Sequence, residues 1–137
     1  MSTPLVSVIM PYYKKSEFIN ASVNSILNQS FKEFEIILID DELTKNSFEI
    51  LDNVKKLDVR IRVFKNKKNL GAGQSRNDAI NFCKGQYIAF CDCDDLWRQN
   101  KLEKQMKFMK DCNLEFSFTS YEIINNDNLK IGFREAQ

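Results

Sequence analysis

Three carboxylates fall within four positions at the end of an apolar, strand-forming run: Asp92, Asp94 and Asp95 in Ala89-Phe90-Cys91-Asp92-Cys93-Asp94-Asp95-Leu96-Trp97. Two more, Asp40 and Asp41, close the run Phe34-Glu35-Ile36-Ile37-Leu38-Ile39. Gathered carboxylates raise one another's cost of ionising unless positive charge joins them. Two readings follow. One is an acidic loop facing water; the other is a divalent-cation site that holds a phosphorylated ligand. Hard carboxylate oxygens suit Mg2+ or Mn2+, ions that keep part of their water and bind substrate phosphates. A third apolar run ends in Pro11-Tyr12-Tyr13. An aromatic ring there could stack on a base, and a carboxylate could accept a hydrogen bond from a base N–H or a ribose hydroxyl. Gly71-Ala72-Gly73 stands where a helix begins, and a helix N-terminus offers a positive dipole end to phosphate. Together these residues point to recognition of a nucleotide diphosphate.

The elements that must position them alternate regularly. Leu5 to Met10 reads as a strand ended by Pro11, and Ser16 as the cap of a helix with Ile19, Val23, Ile26 and Leu27 inside. Phe34 to Ile39 is almost wholly apolar, as expected of a strand covered on both faces. A second helix carries Phe48, Ile50, Leu51 and Val54, and Arg60 to Phe64 alternates like an edge strand. The helix after Gly71 places Ala79, Ile80 and Cys83 inside, with Gly85 ending it in a left-handed turn. Gln86 to Cys91 is a fourth strand. A helix through Leu102, Met106 and Met109 follows the acidic loop, its methionines read as core filling. Leu114 to Thr119 is expected to be a fifth strand, with a hairpin around Asn125-Asn126-Asp127-Asn128. Strand–helix alternation with short connections predicts a mostly parallel, doubly wound sheet. The strand ends of such a sheet open on one side, so Asp40-Asp41, Tyr12-Tyr13 and the acidic loop are expected to converge on one crevice.

Composition narrows the classes. The chain has 137 residues, 43% hydrophobic and 28% charged, as in an ordinary soluble globule. A formal net charge of +1 supplies no one-signed field, so no nucleic-acid partner is expected. The basic cluster Lys65-Asn66-Lys67-Lys68 reads as a solvated turn. No apolar run approaches the length of a membrane span, and Met1-Ser2-Thr3-Pro4 lacks signal-peptide features. Cys83, Cys91, Cys93 and Cys112 form no C-x-x-C pair, and histidine is absent, which argues against zinc and removes the commonest general base. The thiols read as reduced and buried. Cys91 and Cys93 face away from the aspartates with which they alternate. The expected setting is cytoplasmic, with peripheral docking at the inner face of the cytoplasmic membrane left open.

Six segments in register resemble the N-terminal half of a family 2 glycosyltransferase of the GT-A fold. They are Val6 to Tyr13, Ser25 to Phe31, Phe34 to Asp41, Asn69-Leu70-Gly71 with Ser75-Arg76-Asn77, Gly85 to Phe90, and Asp92 to Trp97. The resemblance implies a Rossmann-like three-layer α/β/α domain over residues 1–137, incomplete before the acceptor half. It implies inverting transfer of a sugar from a nucleotide-diphosphate sugar, with uracil as the expected base, to a glycan or lipid-linked acceptor. It also implies roles. Pro11 and Tyr13 flank the base, Tyr13 by stacking; Asp41 accepts a hydrogen bond from it, and Asp40 supports that loop or the ribose. Gly71 and Arg76 help position the donor. Asp92 and Cys93 lie at the ribose or donor sugar. Asp94, with Asp92 and Asp95, holds Mn2+ or Mg2+.

The chain also departs from the family pattern. Glu42-Leu43-Thr44 follows the aspartate pair where glycine and a hydroxyl residue are usual, and is expected to add bulk and charge to the base pocket. Lys14-Lys15 replaces the usual asparagine after the tyrosines. No residue stands out as catalytic base; Glu122, Asp127 and Glu135 are candidates only by default. A non-catalytic nucleotide-binding module and another Mg2+-dependent aspartate-cluster enzyme, such as a phosphatase or phosphoacceptor domain, are the alternatives.

Overall fold

The computed structural model describes residues 3–136. They fall into two compact units, divided between Leu102 and Glu103. The first is built from β1 (Val6–Tyr12), α1 (Ile19–Leu27), β2 (Phe34–Asp40), α2 (Lys45–Lys55), β3 (Ile61–Lys65), α3 (Gly71–Ala79) and β4 (Tyr87–Phe90). Its four strands are parallel in the order β3-β2-β1-β4. The chain therefore steps outward from β1 to β3, then returns to the far side of β1, which makes the β1–β4 gap the point where strand order reverses.

All seven residues of β2 are buried, as a strand covered on both faces requires. On one face Ile9, Ile37 and Ile39 pack with Ala79 of α3. On the other, α2 reaches β2 through Ser47, whose hydroxyl donates to Asp40 Oδ2 at 2.8 Å. Thr44 caps α2: its Oγ1 accepts from Ser47 N at 3.0 Å, while Ser47 Oγ accepts from Thr44 N at 3.0 Å.

Several boundaries differ from the sequence reading. β1 runs through Pro11 to Tyr12. The Tyr12 carbonyl bonds to Asp41 in β2's direction, whereas Ile9, of Pro11's parity, bonds Cys91 on the β4 side. β4 stops at Phe90, so the missing N–H of Pro11 costs no ladder bond. Ser16 does not cap α1; that helix starts after Phe18, with no side-chain cap. Helix α3 tightens into a 3-10 turn at Ile80–Phe82 and leaves Ile80 exposed. Gly85 is not a left-handed cap, because Gly71 is the positive-φ glycine among the described residues. Gly85 instead permits close approach: a Cβ there would lie 2.6 Å from Ser7 N.

The second unit carries most of α4 (Lys101–Asp111) and an antiparallel hairpin of β5 (Tyr121–Ile124) and β6 (Lys130–Arg134). The hairpin turns at Asn125–Asn128 as expected, with Asn128 at φ 60°. The expected strand over Leu114–Thr119 is absent. Its alternation satisfies strand propensity, but no described strand pairs with it, and Phe116 and Phe118 stay exposed. Met106 and Met109 are half-buried.

A buried polar knot beneath the sheet supplies a stability prediction. Glu35, 4% exposed, accepts from Ser7 Oγ at 2.7 Å, Arg62 Nη1 at 2.8 Å and Lys84 N at 2.6 Å. Burial alone would raise its carboxyl; the three donors outweigh that and hold it below the ordinary value of 4.5. A depressed carboxyl stabilises the fold above its unfolded pKa, and that contribution fades as pH falls through the folded pKa. Glu35→Gln should therefore cost about 1–3 kcal/mol in urea unfolding at neutral pH. The deficit should shrink when the comparison is repeated well below the ordinary carboxylate range. An equal deficit at both pH values would contradict the knot's ionic character.

Candidate functional site

A cleft of about 460 Å3 opens at the carboxyl ends of β1, β2 and β4, at the strand-order reversal. Pro11 and Tyr13 line it from β1's end, Asp41 from β2's, and Asp92, Cys93 and Asp94 from the loop after β4. Gly71, Ala72 and Arg76 of α3 complete it together with Lys15 and Asn69. Eight of the residues singled out in the sequence thus share one wall. Tyr13, 46% exposed, lies on that wall. Tyr12 does not converge on the cleft: it is fully buried beside Asp40, its register partner. Asp40 and Asp95 also stay off the lining.

The two neighbouring aspartates divide the work. Asp40 is wholly buried and shapes the turn below the cleft. Its Oδ1 accepts from Glu42 N at 3.0 Å and Leu43 N at 3.1 Å, with Leu43 held at φ 62°. Asp41, 2% exposed, fastens the start of α3. Its Oδ1 accepts from Asn66 Nδ2 and Leu70 N, both at 2.7 Å; its Oδ2 accepts from Gly71 N at 2.8 Å and Asn69 Nδ2 at 3.2 Å. The first amides of α3 are therefore committed to Asp41 rather than left open for phosphate. Gly71 makes this possible at φ +80°, a conformation that costs glycine little. Glu42 does not line the cleft, contrary to the expected crowding of a base pocket; it accepts from Lys14 N at 3.0 Å and Thr44 Oγ1 at 3.2 Å.

Helix α1 grips the acidic loop through a polar stripe that the sequence reading overlooked. Ser22 Oγ donates to Cys93 O at 2.8 Å, and Ser25 Oγ accepts from Trp97 N at 3.1 Å. Buried Gln29 donates to Arg98 O at 2.8 Å and accepts from Leu102 N at 3.0 Å. The spacing i, i+3, i+7 was visible on the same side as the apolar positions, and polar residues there signal a buried partner. Asn66, read as part of a solvated basic turn, bridges Asp41 and Ser75 Oγ at 2.8 Å. Lys65, Lys67 and Lys68 line a larger cleft of about 620 Å3, which none of the strand-end carboxylates enters.

Cys91 and Cys93 are buried and unpaired, as expected, whereas Cys83 is only half-buried and Cys112 is exposed, contrary to the reading of all four thiols as buried. Burial, reinforced by Asp95 and Asp92, pushes the Cys91 thiol up to about 12; burial and Cys91 raise Cys93 as well. Neither the Cys91 nor the Cys93 thiol is a nucleophile at neutral pH. Cys93 meets the cleft but is itself only 1% exposed.

The loop's carboxylates already have counter-charges. Arg76 Nη2 pairs with Asp92 Oδ1, and Lys15 Nζ with Asp94 Oδ2 at 2.6 Å. Asp95 is raised by desolvation and by Asp92 and Asp94. No three acidic, thiol or imidazole groups among the described residues are placed to cage an ion. The donor set still fits a hard divalent cation of the kind that uses one or two carboxylates plus substrate phosphates: Asp92 and Asp94 are oxygen donors, partly exposed on the cleft wall.

Comparison with known proteins matches this arrangement. The family model described as Glycosyl transferase family 2 matches residues 7–136. The chain is 43% identical over 124 residues to the "Putative teichuronic acid biosynthesis glycosyltransferase TuaG" of Bacillus subtilis, covering 90% of this chain and 49% of that protein. It is 39% identical over 130 residues to the Escherichia coli "UDP-Glc:alpha-D-GlcNAc-diphosphoundecaprenol beta-1,3-glucosyltransferase WfgD", covering 94% and 50%. The chain spans about half the length of these curated relatives. The crystal structure of S. aureus TarS 1-349 in complex with UDP-GlcNAc superposes with a TM-score of 0.70 at 28% identity, covering 77% of this chain and 31% of that one. The fold is the Rossmann-like GT-A arrangement the motifs implied.

Proposed function

This chain belongs to glycosyl transferase family 2, and we propose from that premise that the β1–β4 cleft is a donor site for a uridine-diphosphate sugar, serving inverting transfer to a glycan or lipid-linked acceptor. The observation that carries the reading is the meeting of Tyr13, Asp41, Arg76, Asp92 and Asp94 on one wall at the strand-order reversal. The UDP-GlcNAc complex of TarS and the UDP-Glc in WfgD's name support the choice of base and donor. Family membership sets aside the phosphatase and phosphoacceptor alternatives.

Tyr13 stacks on the base, its ring steadied by Lys14 Nζ at 5.2 Å from the centroid, and Pro11 walls the other side. Asp41 accepts the base N–H in place of its longest contact, Asn69 Nδ2 at 3.2 Å; Asn69 keeps its bond to Asp41 O at 2.9 Å. Asp40 fixes the turn beneath. Asp92, oriented by Arg76, faces the ribose or sugar, with the Cys93 backbone beside it. Asp94 holds Mn2+ or Mg2+, with Asp92 and Asp95 close by. When bound, the ion supplies Lewis acidity toward the departing diphosphate. Glu122, one of the default candidates for catalytic base, is paired with Lys130 at 3.0 Å. No helix among the described residues is long and apolar enough to cross a membrane. Four unpaired cysteines support a cytoplasmic setting, with peripheral membrane docking as the extension for a lipid-linked acceptor.

A thermal-shift panel tests the reading. Ligand bound only to the folded state stabilises it, by about 2.7 kcal/mol at a hundredfold excess over Kd. UDP with Mn2+ should raise the melting temperature more than GDP or TDP with Mn2+, and Tyr13→Ala should abolish the difference. Equal shifts from all three nucleotides would remove the uracil assignment, and no shift from any would remove the donor site.

A further inference from the structure

We propose that Lys15 is the cation that meets the donor's diphosphate, held in reserve on Asp94 until a divalent ion takes that carboxylate. The inference rests on the donor-site reading above. It starts from charge. Leaving aside Asp41, whose carboxylate is buried and satisfied by four neutral donors, the cleft holds two cations and two anions. Arg76 is spent on Asp92 and Lys15 on Asp94. A diphosphate entering this closed state would find no uncommitted positive charge, so one pair must open.

The Lys15–Asp94 pair is built to open. Its side chains are 42% and 37% exposed, comparable with 31% and 49% for Arg76 and Asp92, so water can replace either partner at little cost and the choice between the pairs falls to side-chain chemistry. The lysine carries a point charge on a flexible stem, unlike the planar fork of Arg76. Its backbone is fixed: Lys15 O accepts from Phe18 N at 3.1 Å and Ile19 N at 3.0 Å, and the preceding Lys14 N bonds Glu42. A released ammonium therefore stays on the cleft wall. Lys14 does not share this role, since it lies over the Tyr13 ring and off the lining. Metal and lysine thus compete for Asp94, then cooperate on the phosphates.

The test uses the full chain, with Mn2+ binding followed by water-proton relaxation and nucleotide binding by calorimetry. Lys15→Met should bind Mn2+ alone about threefold tighter, because an exposed pair is worth little but not nothing. The same variant should bind UDP in the presence of Mn2+ roughly tenfold more weakly, the size of a lost charge-assisted contact. UMP, lacking the second phosphate, should be nearly unaffected, and Lys15→Arg should restore UDP binding. Unchanged or weaker Mn2+ binding by Lys15→Met, or equal losses for UDP and UMP, overturns the inference while leaving the donor site standing. Failure of the unaltered chain to bind UDP with Mn2+ overturns both.

Discussion

Asp41→Asn is expected to destabilise the first unit by about 3 kcal/mol and to weaken UDP binding by more than tenfold. The carboxylate satisfies four donors from two places: Asn66 and Asn69 in the β3–α3 loop, and the Leu70 and Gly71 amides at the head of α3. An amide side chain offers one oxygen in place of two, and turns an NH2 group toward donors that need acceptors. A buried donor left unsatisfied costs about 1–3 kcal/mol, and at least one would be stranded here. That is a large share of the total stability of a small domain. Urea unfolding measures the loss, and hydrogen exchange locates it. The Leu70 and Gly71 amides should lose protection before those of β2. If both keep their protection in the variant, Asp41 is not what holds α3 at the cleft.

Asp94→Asn should have the largest effect on ligand binding while leaving stability nearly intact. Its side chain is 37% exposed and its ion pair among the described residues is with Lys15, so the fold loses little. The metal loses a charged oxygen donor. In the intact chain, saturating Mn2+ is expected to tighten UDP binding by about a hundredfold, on the scale of an ion's contribution to charge stabilisation. In Asp94→Asn most of that gain should vanish. Without metal the variant should bind UDP at least as well as the intact chain, because Lys15 is no longer tied. Calorimetry with and without Mn2+ decides the matter. A metal-dependent gain that survives the substitution would move the ion away from Asp94.

Much of this was legible in the residues themselves. A run such as Phe34–Ile39 admits few structures other than a strand covered on both faces, and strand–helix alternation admits few topologies other than a parallel sheet with its chemistry at one edge. The cleft wall was foreseen for that reason. The period of two along a strand also held information that was passed over. It puts Tyr12 with Asp40 and Tyr13 with Asp41 on opposite faces, so only one member of each pair could reach the ligand. Leu114–Thr119 failed in the other direction: its alternation gives propensity, yet a strand exists only where an edge is available to pair with it.

Local sequence, then, determined the four strands of the parallel sheet, most of the helices and the carboxylates at the strand ends, because each follows from short-range periodicity and burial. Tertiary structure alone decided the partners. Lys15 meets Asp94 across 79 positions, Gln29 clasps Arg98 and Leu102 across 69 and 73, and Gly85 lies against Ser7 across 78. Hydrogen bonds and ion pairs act over a few ångströms, and which distant groups come within that reach is fixed only when the sheet's order folds the chain back beside β1.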